Sequence, residues 1–476
     1  MTTSTARPDE VLASTDRRRR RPRRALVPVP RWWRDATGTA GWAVLLGVVA
    51  LWVQDGGVQE LATWSGLLTS TGRLTGLVAS ALLLLQVVLM ARVPWVEQAW
   101  GQDELARTHR LVGFTSFTLL WVHVLLITLG YAAASPLGIW GTTWDFVVSY
   151  PGMLLAWAGT LALVMVVVTS VKRARRRLRY ESWHLIHLYG YLGAGLVLPH
   201  QLWTGADFLD STAATVFWWG LWGTTVAAVL VFRLGLPLVR SLRSPIRVLE
   251  VRAEGPGVTS VTVGGDGVRH LPVRAGQFLQ WRFLDGPGWT RANPYSVSAA
   301  PDGFTLRFTA AHVGDGSARL ATLRPGTRVL VEGPYGRMHG GVRGHRKVLL
   351  MGSGIGITPM RALLEELPQR PGDVTVVHRV RSAEEAVLAD EIRSLAAARG
   401  ARYLLVEGHR IPGRASWLPR QAAHLTDAEA LLQVLPDLAR HDVYVCGSDG
   451  WMDAVRAAAL EAGVAPDAVH LERFAY

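Results

Sequence analysis

Residues 108–123 read THRLVGFTSFTLLWVH, and residues 183–200 read WHLIHLYGYLGAGLVLPH. Both stretches are long and mostly apolar, and their histidines are His109, His123, His184, His187 and His200. Ionisable side chains inside a membrane-spanning helix are costly, so each histidine is a functional candidate. In helical form the 14-residue gap of the first stretch is about 21 Å long, and the 13-residue gap of the second is about 19.5 Å. Matched histidines on two parallel helices could hold two haems, with one imidazole from each helix on each iron.

The two gaps differ in how well they keep their histidines on one helix face. A gap of 14 returns to within about 40° of the same face, whereas a gap of 13 misses it by about 140°. Pro199 and the glycines at 190, 193 and 195 could supply a local distortion in the second stretch. The alternative for any single histidine is an interhelical hydrogen bond, but four histidines at matched depths favour haem ligation. His184 lies at the membrane boundary, where a structural role or a place at a haem edge fits better than ligation.

The first half of the chain contains six apolar segments, and a helix needs about 20 apolar residues to cross a membrane. The segments lie at about 38–54, 73–92, 109–131, 150–171, 184–202 and 212–236. Lys and Arg are absent from residues 54–71, 132–149 and 203–211 but frequent in residues 92–110, 171–183 and 237–247. This alternation predicts a multi-pass protein of the plasma membrane with both termini in the cytoplasm. Residues 1–37 are polar and basic, which predicts a disordered cytoplasmic tail.

The net charge of +13 does not indicate nucleic-acid binding, because of where the charge lies. Basic runs at residues 17–24 and 172–179 each border an apolar segment, as positive-inside topology requires. A twin-arginine export signal is a weaker alternative for the first run, since no small-residue cleavage site follows it. The single cysteine, Cys446, excludes a disulfide framework and an iron–sulfur cluster. Redox chemistry would therefore depend on organic cofactors or on metal bound by histidine.

The second half of the chain has the hydrophobic pattern of a soluble protein. From about residue 244, short alternating runs read IRVLEV, VTSVTV, QFLQWRF, PYSVSAA, FTLRFT and RVLVEG. Their even spacing predicts a small antiparallel β-barrel over residues 243–342. From about residue 345, strand-like runs alternate with helical stretches, which predicts an α/β domain with a parallel sheet over residues 343–476. Residues 340–344 form a plausible linker, and residues 38–242 form the membrane domain.

The histidine pattern resembles the ferric reductase / NADPH oxidase superfamily in its bacterial single-chain form. The similarity covers about residues 38–476, and its membrane signatures are Thr108-His109-Arg110 with His123, and residues 183–187 with His200. The resemblance implies a six-helix bundle holding two b-type haems, the inner one on His109 and His187 and the outer one on His123 and His200. It also implies that Arg73, at the outer end of the second span, lies near the outer haem. From the sequence alone, an arginine whose side chain reaches the membrane interface explains Arg73 equally well.

Residues 291–301, RANPYSVSAAP, resemble the flavin motif of the ferredoxin-reductase fold. The resemblance implies that Tyr295, after Pro294, stacks on the FAD ring and that the Ser296 hydroxyl contacts the ring near N5. The family usually has Arg or His where Asn293 stands, and Arg291 could compensate. Residues 314–317, GDGS, resemble the segment that binds the pyrophosphate, which implies contacts from Gly316 and Ser317. Amide nests of this kind favour anions.

Residues 352–359, GSGIGITP, follow a strand and open a helix, which is the context that a dinucleotide-binding turn requires. The predicted nucleotide contacts are Gly352, Gly354, Gly356, Thr358 and Pro359. After the next strand, Arg379 and Arg381 stand where an acidic residue would bind the ribose of NADH, which favours NADPH and leaves NADH open.

The carboxyl-terminal part of the resemblance concerns hydride transfer. Cys446 and Gly447 end the last long strand and resemble the Cys-Gly pair that the family places beside the nicotinamide. For a lone cysteine, a small buried residue at a strand end is a serious alternative. Phe474 corresponds to the near-terminal aromatic that covers the flavin. With Ser296, these residues form the predicted catalytic set.

The sequence thus predicts an electron-transfer oxidoreductase that takes electrons from cytoplasmic NADPH through FAD and two haems to an acceptor at the outer face. The acceptor could be a ferric chelate, dioxygen, a quinone or a protein redox partner. One alternative is a haem-free flavoreductase that is anchored in membrane lipid and serves a protein partner. Another is a membrane cytochrome or haem sensor without NADPH oxidation. The sequence does not indicate the oligomeric state.

Overall fold

A computed structural model describes residues 29–30, 32–171, 174, 180–208, 211–243, 245–286 and 291–473. Most of the expected disordered tail, most of the second basic run and Phe474 lie outside these residues. The amino-terminal half is helical, with helices α1 Trp32–Gln54, α2 Trp64–Leu89, α3 Pro94–Trp100, α4 Gln102–Ala133, α5 Gly138–Ser149, α6 Met153–Ser170, α7 Tyr180–Trp203 and α8 Thr212–Ala228. A π-helical stretch, Val229–Gly235, continues α8 into α9, Leu236–Arg243.

Each predicted apolar segment overlaps one of the long helices. Among the described residues, five helices are long and apolar enough to cross a membrane: α1, α2, α4, α6 and α8 with its continuation. α7 is also long, but its three histidines lower its mean hydropathy. Large apolar side chains such as Leu111, Leu161 and Val216 are exposed on the outside of the bundle. Such exposure is expected where lipid replaces water as the surrounding solvent.

Small residues bring the long helices together in pairs. On α6 and α7, a Cβ added to Gly159 would lie 2.8 Å from the Gly193 carbonyl oxygen, so the two backbones are nearly in contact. On α2 and α4, a Cβ added to Gly72 would lie 3.1 Å from the backbone nitrogen of Ile127. Close approach at glycine is typical of helix packing in membranes, where van der Waals contact rather than hydrophobic burial drives association. The pairs α2/α4 and α6/α7 therefore form two close-packed hairpins.

An antiparallel sheet follows the helices. Its strands are β1 Ile246–Gly255, β2 Val258–Gly264, β3 Phe278–Phe283, β4 Asn293–Ser296, β5 Thr305–Ala311 and β6 Arg328–Tyr335, in the order β4-β3-β6-β1-β2-β5. Alternating apolar side chains fill its interior, where Leu279, Trp281 and Phe308 are completely buried. A bridge between Val297, directly after β4, and Phe308 of β5 joins the two edges of the sheet.

A parallel sheet completes the chain. Its strands are β7 Lys347–Ser353, β8 Val374–Val380, β9 Arg402–Glu407, β10 His441–Cys446 and β11 Val469–Leu471, in the order β11-β10-β7-β8-β9. A short helix, α10 Asp315–Ala318, belongs to the antiparallel part, and the parallel part has α11 Ile357–Glu366, α12 Ala389–Arg399, α13 Asp427–Val434 and α14 Asp449–Glu461. Every residue of β8 is buried, as expected for a strand that helices cover on both faces.

The buried carboxylate of Asp442, on β10, binds the segment that precedes β7. Asp442 is 1% exposed and accepts hydrogen bonds from His470 Nε2 at 2.7 Å and from the backbone amides of Gly344 and His345. Burial alone would raise the pKa of Asp442, but these hydrogen bonds outweigh it and hold the pKa below its usual value. The folded domain therefore favours the ionised carboxylate.

We expect Asp442→Asn to lower the free energy of unfolding by about 2–3 kcal/mol at pH 7, because the hydrogen bonds lose a charged acceptor. The folded-state pKa lies below the unfolded value of about 3.9, so this stabilisation is present above that value and is lost as the pH falls through the folded pKa. Thermal unfolding at several pH values measures the difference. An equal penalty at pH 3 and pH 7 would contradict the assignment.

Candidate functional site

The histidines predicted to hold the inner haem lie face to face. His109 on α4 and His187 on α7 have ring centroids 6.0 Å apart, with the rings inclined at 57°. A metal–imidazole bond is about 2 Å long, so two imidazoles on opposite sides of one metal ion have centroids about 6 Å apart. The pair could therefore hold one metal ion between its two imidazoles.

Backbone carbonyls orient three of the four predicted ligands through the Nδ1 atom. His109 Nδ1 lies 3.0 Å from the Gln86 oxygen, His123 Nδ1 lies 2.8 Å from the Gly72 oxygen, and His200 Nδ1 lies 2.7 Å from the Val197 oxygen. A carbonyl only accepts, so Nδ1 carries the hydrogen and donates it. Nε2 then keeps its lone pair for a metal. This second bond is how ligating histidines are usually held in the correct tautomer.

His187 is held by side chains instead of a carbonyl. Its Nδ1 lies 3.4 Å from Ser170 Oγ, and the Trp183 ring lies against it at a centroid distance of 4.9 Å. Trp183 Nε1 donates to the same serine oxygen at 3.3 Å. His184 lies within electrostatic reach of Arg233 and Arg282. The contact with the His109 ring thus belongs to His187, as the resemblance implies.

The outer pair of histidines is packed against glycines. A Cβ added to Gly76 would lie 2.5 Å from His123 Nδ1, so this glycine leaves room for the ring. His200 lies within electrostatic reach of His123. Arg73 forms ion pairs with Glu60 at 3.0 Å and with the buried Asp207 at 3.3 Å. Arg73, which lies in the amino-terminal half of α2, therefore binds carboxylates.

The predicted flavin-phosphate residues line one cavity of about 300 Å³. Its lining residues include Arg291, Asn293, Gly316 and Arg319. A Cβ added to Gly316 would lie 2.9 Å from Asn293 Oδ1, so the glycine allows the two segments to meet. Arg319 was not singled out from the sequence. It follows the GDGS segment by two residues, and that position was its only signal.

The hydroxyl of Ser317 is used within its own loop. It accepts hydrogen bonds from the backbone amides of Val313 at 2.9 Å and Gly314 at 3.2 Å. The side chain therefore shapes the loop at the start of α10, whereas direct binding of phosphate would fall to the backbone amides of the turn.

The predicted ring-binding residues occupy the last positions of β4. Tyr295 stacks on Phe308 with a centroid distance of 4.9 Å and an angle of 6°. Among the described residues, Ser296 Oγ is buried and has no hydrogen-bond partner. A buried hydroxyl without a partner is costly, and a flavin nitrogen would supply the missing acceptor or donor. These residues therefore fit a flavin ring.

The glycine turn lies between β7 and α11. Gly354 has a φ of +56°, and a Cβ added to it would meet nothing within 4 Å. A Cβ added to Gly356 would lie 2.2 Å from the Cys446 carbonyl oxygen, so this glycine lets the end of β10 approach the turn. The amino terminus of α11 and the open space above Gly354 together form a site suited to a pyrophosphate.

The thiol of Cys446 is buried beside the turn. Burial raises the pKa of this thiol far above its ordinary value, and the carboxylate of Glu472 raises it further. The thiol is therefore neutral and is not a nucleophile. Glu472 is 4% exposed and lies two residues before Phe474. Phe474 was predicted from the sequence, whereas Glu472 was not. The signal available in the sequence was an acid close to the end of a strand.

The two arginines expected to bind a 2′-phosphate lie in different environments. Arg379 is 5% exposed, and its guanidinium donates to the backbone oxygens of Trp417 at 3.2 Å, of Val406 and of Val380. Burial lowers the pKa of Arg379. Arg381 is exposed, and its ion pair with Glu385 at 3.4 Å is solvent-accessible. Of the two, only Arg381 is available to an incoming phosphate.

We expect Arg381→Ala to raise the KM for NADPH by about tenfold while leaving the KM for NADH unchanged, because it removes one charge-assisted bond. Arg379→Ala serves as the comparison. It leaves carbonyls without a donor and should cost about 1–3 kcal/mol of stability without favouring either nucleotide. Steady-state flavin reduction with each nucleotide measures both effects. Equal changes for NADPH and NADH in Arg381→Ala would refute the assignment.

Two family models match separate parts of the chain. A ferric reductase like transmembrane component matches residues 75–198, and an oxidoreductase NAD-binding domain matches residues 350–457. The first match contains α4 and most of α7, and the second contains the glycine turn and Cys446.

About half of the chain is similar to ferredoxin reductases. Ferredoxin–NADP reductase B of Sorangium cellulosum is 30% identical over 239 residues, which is 48% of this chain and 96% of that protein. The ferredoxin–NAD(+) reductase component of the alkene monooxygenase system of Xanthobacter autotrophicus is 34% identical over 221 residues, which is 45% of this chain and 64% of that protein.

Among solved structures, the flavohem-like FAD/NAD binding domain of nitric oxide dioxygenase from Vibrio cholerae is 26% identical, with a TM-score of 0.40, and covers 48% of this chain and 98% of that chain. The transmembrane match at residues 75–198 precedes the NAD-binding match at residues 350–457. The chain thus joins a ferric reductase like transmembrane component to FAD and NAD(P) domains, and through those domains it belongs to the ferredoxin reductase family.

Proposed function

We propose that this membrane-associated NAD(P)H- and FAD-dependent oxidoreductase passes electrons across the membrane through two b-type haems. The route would run from cytoplasmic NADPH to FAD, to the haem on His109 and His187, to the haem on His123 and His200, and then to an acceptor at the outer face. The observation that carries the proposal is the 6.0 Å separation of the His109 and His187 rings, which would allow both imidazoles to bind one haem iron.

The proposal includes a topology. Six spans place both termini in the cytoplasm of a plasma-membrane protein, with α7 as the fifth span. The domains would be a tail at residues 1–37, a haem domain at 38–242, a closed FAD barrel at 243–342 and an NADP domain at 343–476. The bridge between Val297 and Phe308 supports closure of the barrel, because it joins both edges of the sheet.

When bound, FAD accepts a hydride and releases electrons one at a time, and haem iron carries single electrons. Four imidazoles would hold the two haems, and the haems would supply electron transfer rather than oxygen binding. The buried Ser296 hydroxyl and the neutral Cys446 thiol would border the site of hydride transfer and provide no competing nucleophile. The turn at residues 352–359 would hold the NADPH pyrophosphate with backbone amides.

A membrane potential that is negative inside the cell favours the outward movement of electrons, because each electron moves toward the positive side. Each charge that crosses 100 mV exchanges about 2.3 kcal/mol with the potential. Ferric chelates, dioxygen, quinones and an oxidised protein partner remain acceptors of suitable chemistry. The outer cluster of Arg73, Glu60 and Asp207 lies at the end of the route, where the acceptor would have to approach.

A reduced-minus-oxidised spectrum of the purified chain, with NADPH as the only reductant, tests the proposal. We expect b-type absorbance that NADPH develops as fully as dithionite does. Protein that carries flavin without any haem, even when expressed with ample porphyrin, would indicate the alternative of a haem-free flavoreductase anchored in the membrane. Haem that dithionite reduces but NADPH does not would indicate a cytochrome without the dehydrogenase activity.

A further inference from the structure

A buried carboxylate lies where the antiparallel domain meets the helices. Glu97 is on α3, which connects α2 to α4 on the side of the bundle that faces the soluble domains. It is 6% exposed, and Arg92 Nη1 lies 3.3 Å from its Oε1. Burial of this carboxyl raises its pKa to about 7, since Arg92 offsets the cost of desolvation only in part. A carboxyl in this state can gain or lose a proton near neutral pH.

Arg92 joins this carboxylate to the flavin-binding sheet. Its guanidinium lies over the ring of Tyr335 on β6, 4.0 Å from the ring centroid, and it donates to Gln102 Oε1 at 2.5 Å. The Tyr335 hydroxyl donates to Glu332 Oε1 at 2.7 Å. Arg92 holds these contacts with a φ of +65°, a left-handed conformation that costs a non-glycine residue energy. Strain of this kind persists only where the surroundings enforce it, and it is most frequent at functional sites.

The cluster lies between the predicted flavin and the inner haem. Tyr335 pairs with Phe278 in the sheet, and Phe278 pairs with Ser296, so Tyr335 is two strands from the flavin residue, or about 10 Å. On the other side, Arg92 lies three residues after the end of α2, and the last turn of α2 contains Gln86, whose backbone oxygen binds His109.

A cavity gives the carboxylate access to the cytoplasm. It has a volume of about 1650 Å³ and its lining includes Glu97, Gln98 and Tyr335. Arg269 and Phe304, which are exposed, also line it, so the cavity extends to the surface. Protons can therefore reach this side of the bundle without crossing the apolar interior.

We infer that Glu97 is a charge-compensating group, which takes up a proton when an electron resides on the haem held by His109 and His187. This inference rests on the proposed function. For each electron that arrives from the flavin at the site of His109 and His187, the Glu97 carboxylate would gain one proton from cytoplasmic water and become a carboxylic acid. When that electron leaves, the proton would return to the water.

The surrounding charges set the size of this coupling. Arg92, Arg233 on the π-helical stretch, and Glu332 and Tyr335 on β6 all act electrostatically on Glu97 or are acted on by it. An electron added at the haem site adds negative charge, which raises the pKa of a neighbouring carboxyl. Protonation of Glu97 would therefore accompany reduction above about pH 7, which a potentiometric titration resolves.

The experiment is a redox titration of the purified full chain in lipid nanodiscs between pH 6 and pH 9, monitored by haem absorbance. In the unmodified protein we expect one of the two haem potentials to fall as the pH rises above about 7, because the reduced state binds the proton more tightly. In Glu97→Gln we expect that potential to be independent of pH. Glu332→Gln, the other carboxyl of the cluster, is the matched control and should retain the pH dependence.

Infrared difference spectra provide a second measurement, and its first result needs only the unmodified protein. Reduction of the unmodified protein should produce the carbonyl band of a protonated carboxylic acid, and Glu97→Asp should shift that band. A pH-dependent potential that persists in Glu97→Gln, or the absence of a carboxylic acid band on reduction, would overturn the inference. A chain that contains no haem would instead overturn the proposed function itself, and the two failures are distinguishable by absorbance alone.

Discussion

Replacing His187 with alanine is expected to remove the inner haem and to stop NADPH from reducing the outer one. The iron between His109 and His187 would lose one of its two axial imidazoles, and a b-type haem has no covalent attachment to retain it. The outer ligands lie about 20 Å further along α4 and α7. We therefore expect about half of the b-type absorbance to disappear, and the remainder to respond to dithionite but not to NADPH.

The matched control for this variant is His184→Ala. His184 lies one helical turn earlier on α7 and faces Arg233 and Arg282, so both haems should remain. Haem content per flavin, measured after extraction, and difference spectra with each reductant distinguish the two variants. If His184→Ala loses haem and His187→Ala keeps it, the ligand assignment is reversed. Full retention of NADPH-driven reduction in His187→Ala would reject the electron route altogether.

His200→Ala separates the two haems in the opposite direction. The inner pair is untouched, so NADPH should still reduce one haem, while electron delivery to an acceptor outside sealed vesicles stops. Because His123 and His200 are each fixed by a carbonyl within the bundle, this loss should not affect flavin binding. The contrast between the variants gives the order of the carriers as well as the identity of their ligands.

Local patterns in the sequence were sufficient for most of the secondary structure. Long apolar runs with basic residues at alternate ends place the helices, since helix length and hydrophobicity are properties of the segment itself. The alternation in runs such as RVLVEG, within β6, likewise predicts a strand from the burial of every second side chain. The strand–turn–helix context of residues 352–359 was also readable, because β7, the turn and α11 are contiguous in the chain.

Features that depend on contacts between distant segments could not be predicted from the sequence. Arg379 was expected to face a nucleotide, but carbonyls from residues about 30 to 40 positions later enclose its guanidinium. Arg92 lies in a connection whose basic residues were used only to predict the membrane topology. Its contact with Tyr335 depends on how the soluble domains pack against the helices. The helices α3 and α5 were missed because they are short and lie between spans. Pairing across the fold decides each of these cases, and no local periodicity encodes it.

The glycine turn gives the second large effect, because it can be blocked without disturbing the fold. Replacing Gly354 with valine places a side chain in space that meets nothing within 4 Å, at a φ of +56°. The left-handed conformation should cost about 1–2 kcal/mol of stability. The same side chain would occupy the position of the NADPH pyrophosphate and displace at least two hydrogen bonds to charged oxygen. We therefore expect flavin reduction by NADPH to slow by at least about 100-fold.

Gly413→Val is the matched control, since Gly413 has a φ of +71° and also meets nothing within 4 Å, but lies outside the turn. Both variants should lose similar thermal stability and bind flavin normally, and dithionite should reduce their haems equally. Stopped-flow reduction of the flavin by NADPH should be impaired in Gly354→Val alone. Equal rates in the two variants would mean that the nucleotide does not bind over this turn, since backbone strain is common to both and only the position of the side chain differs.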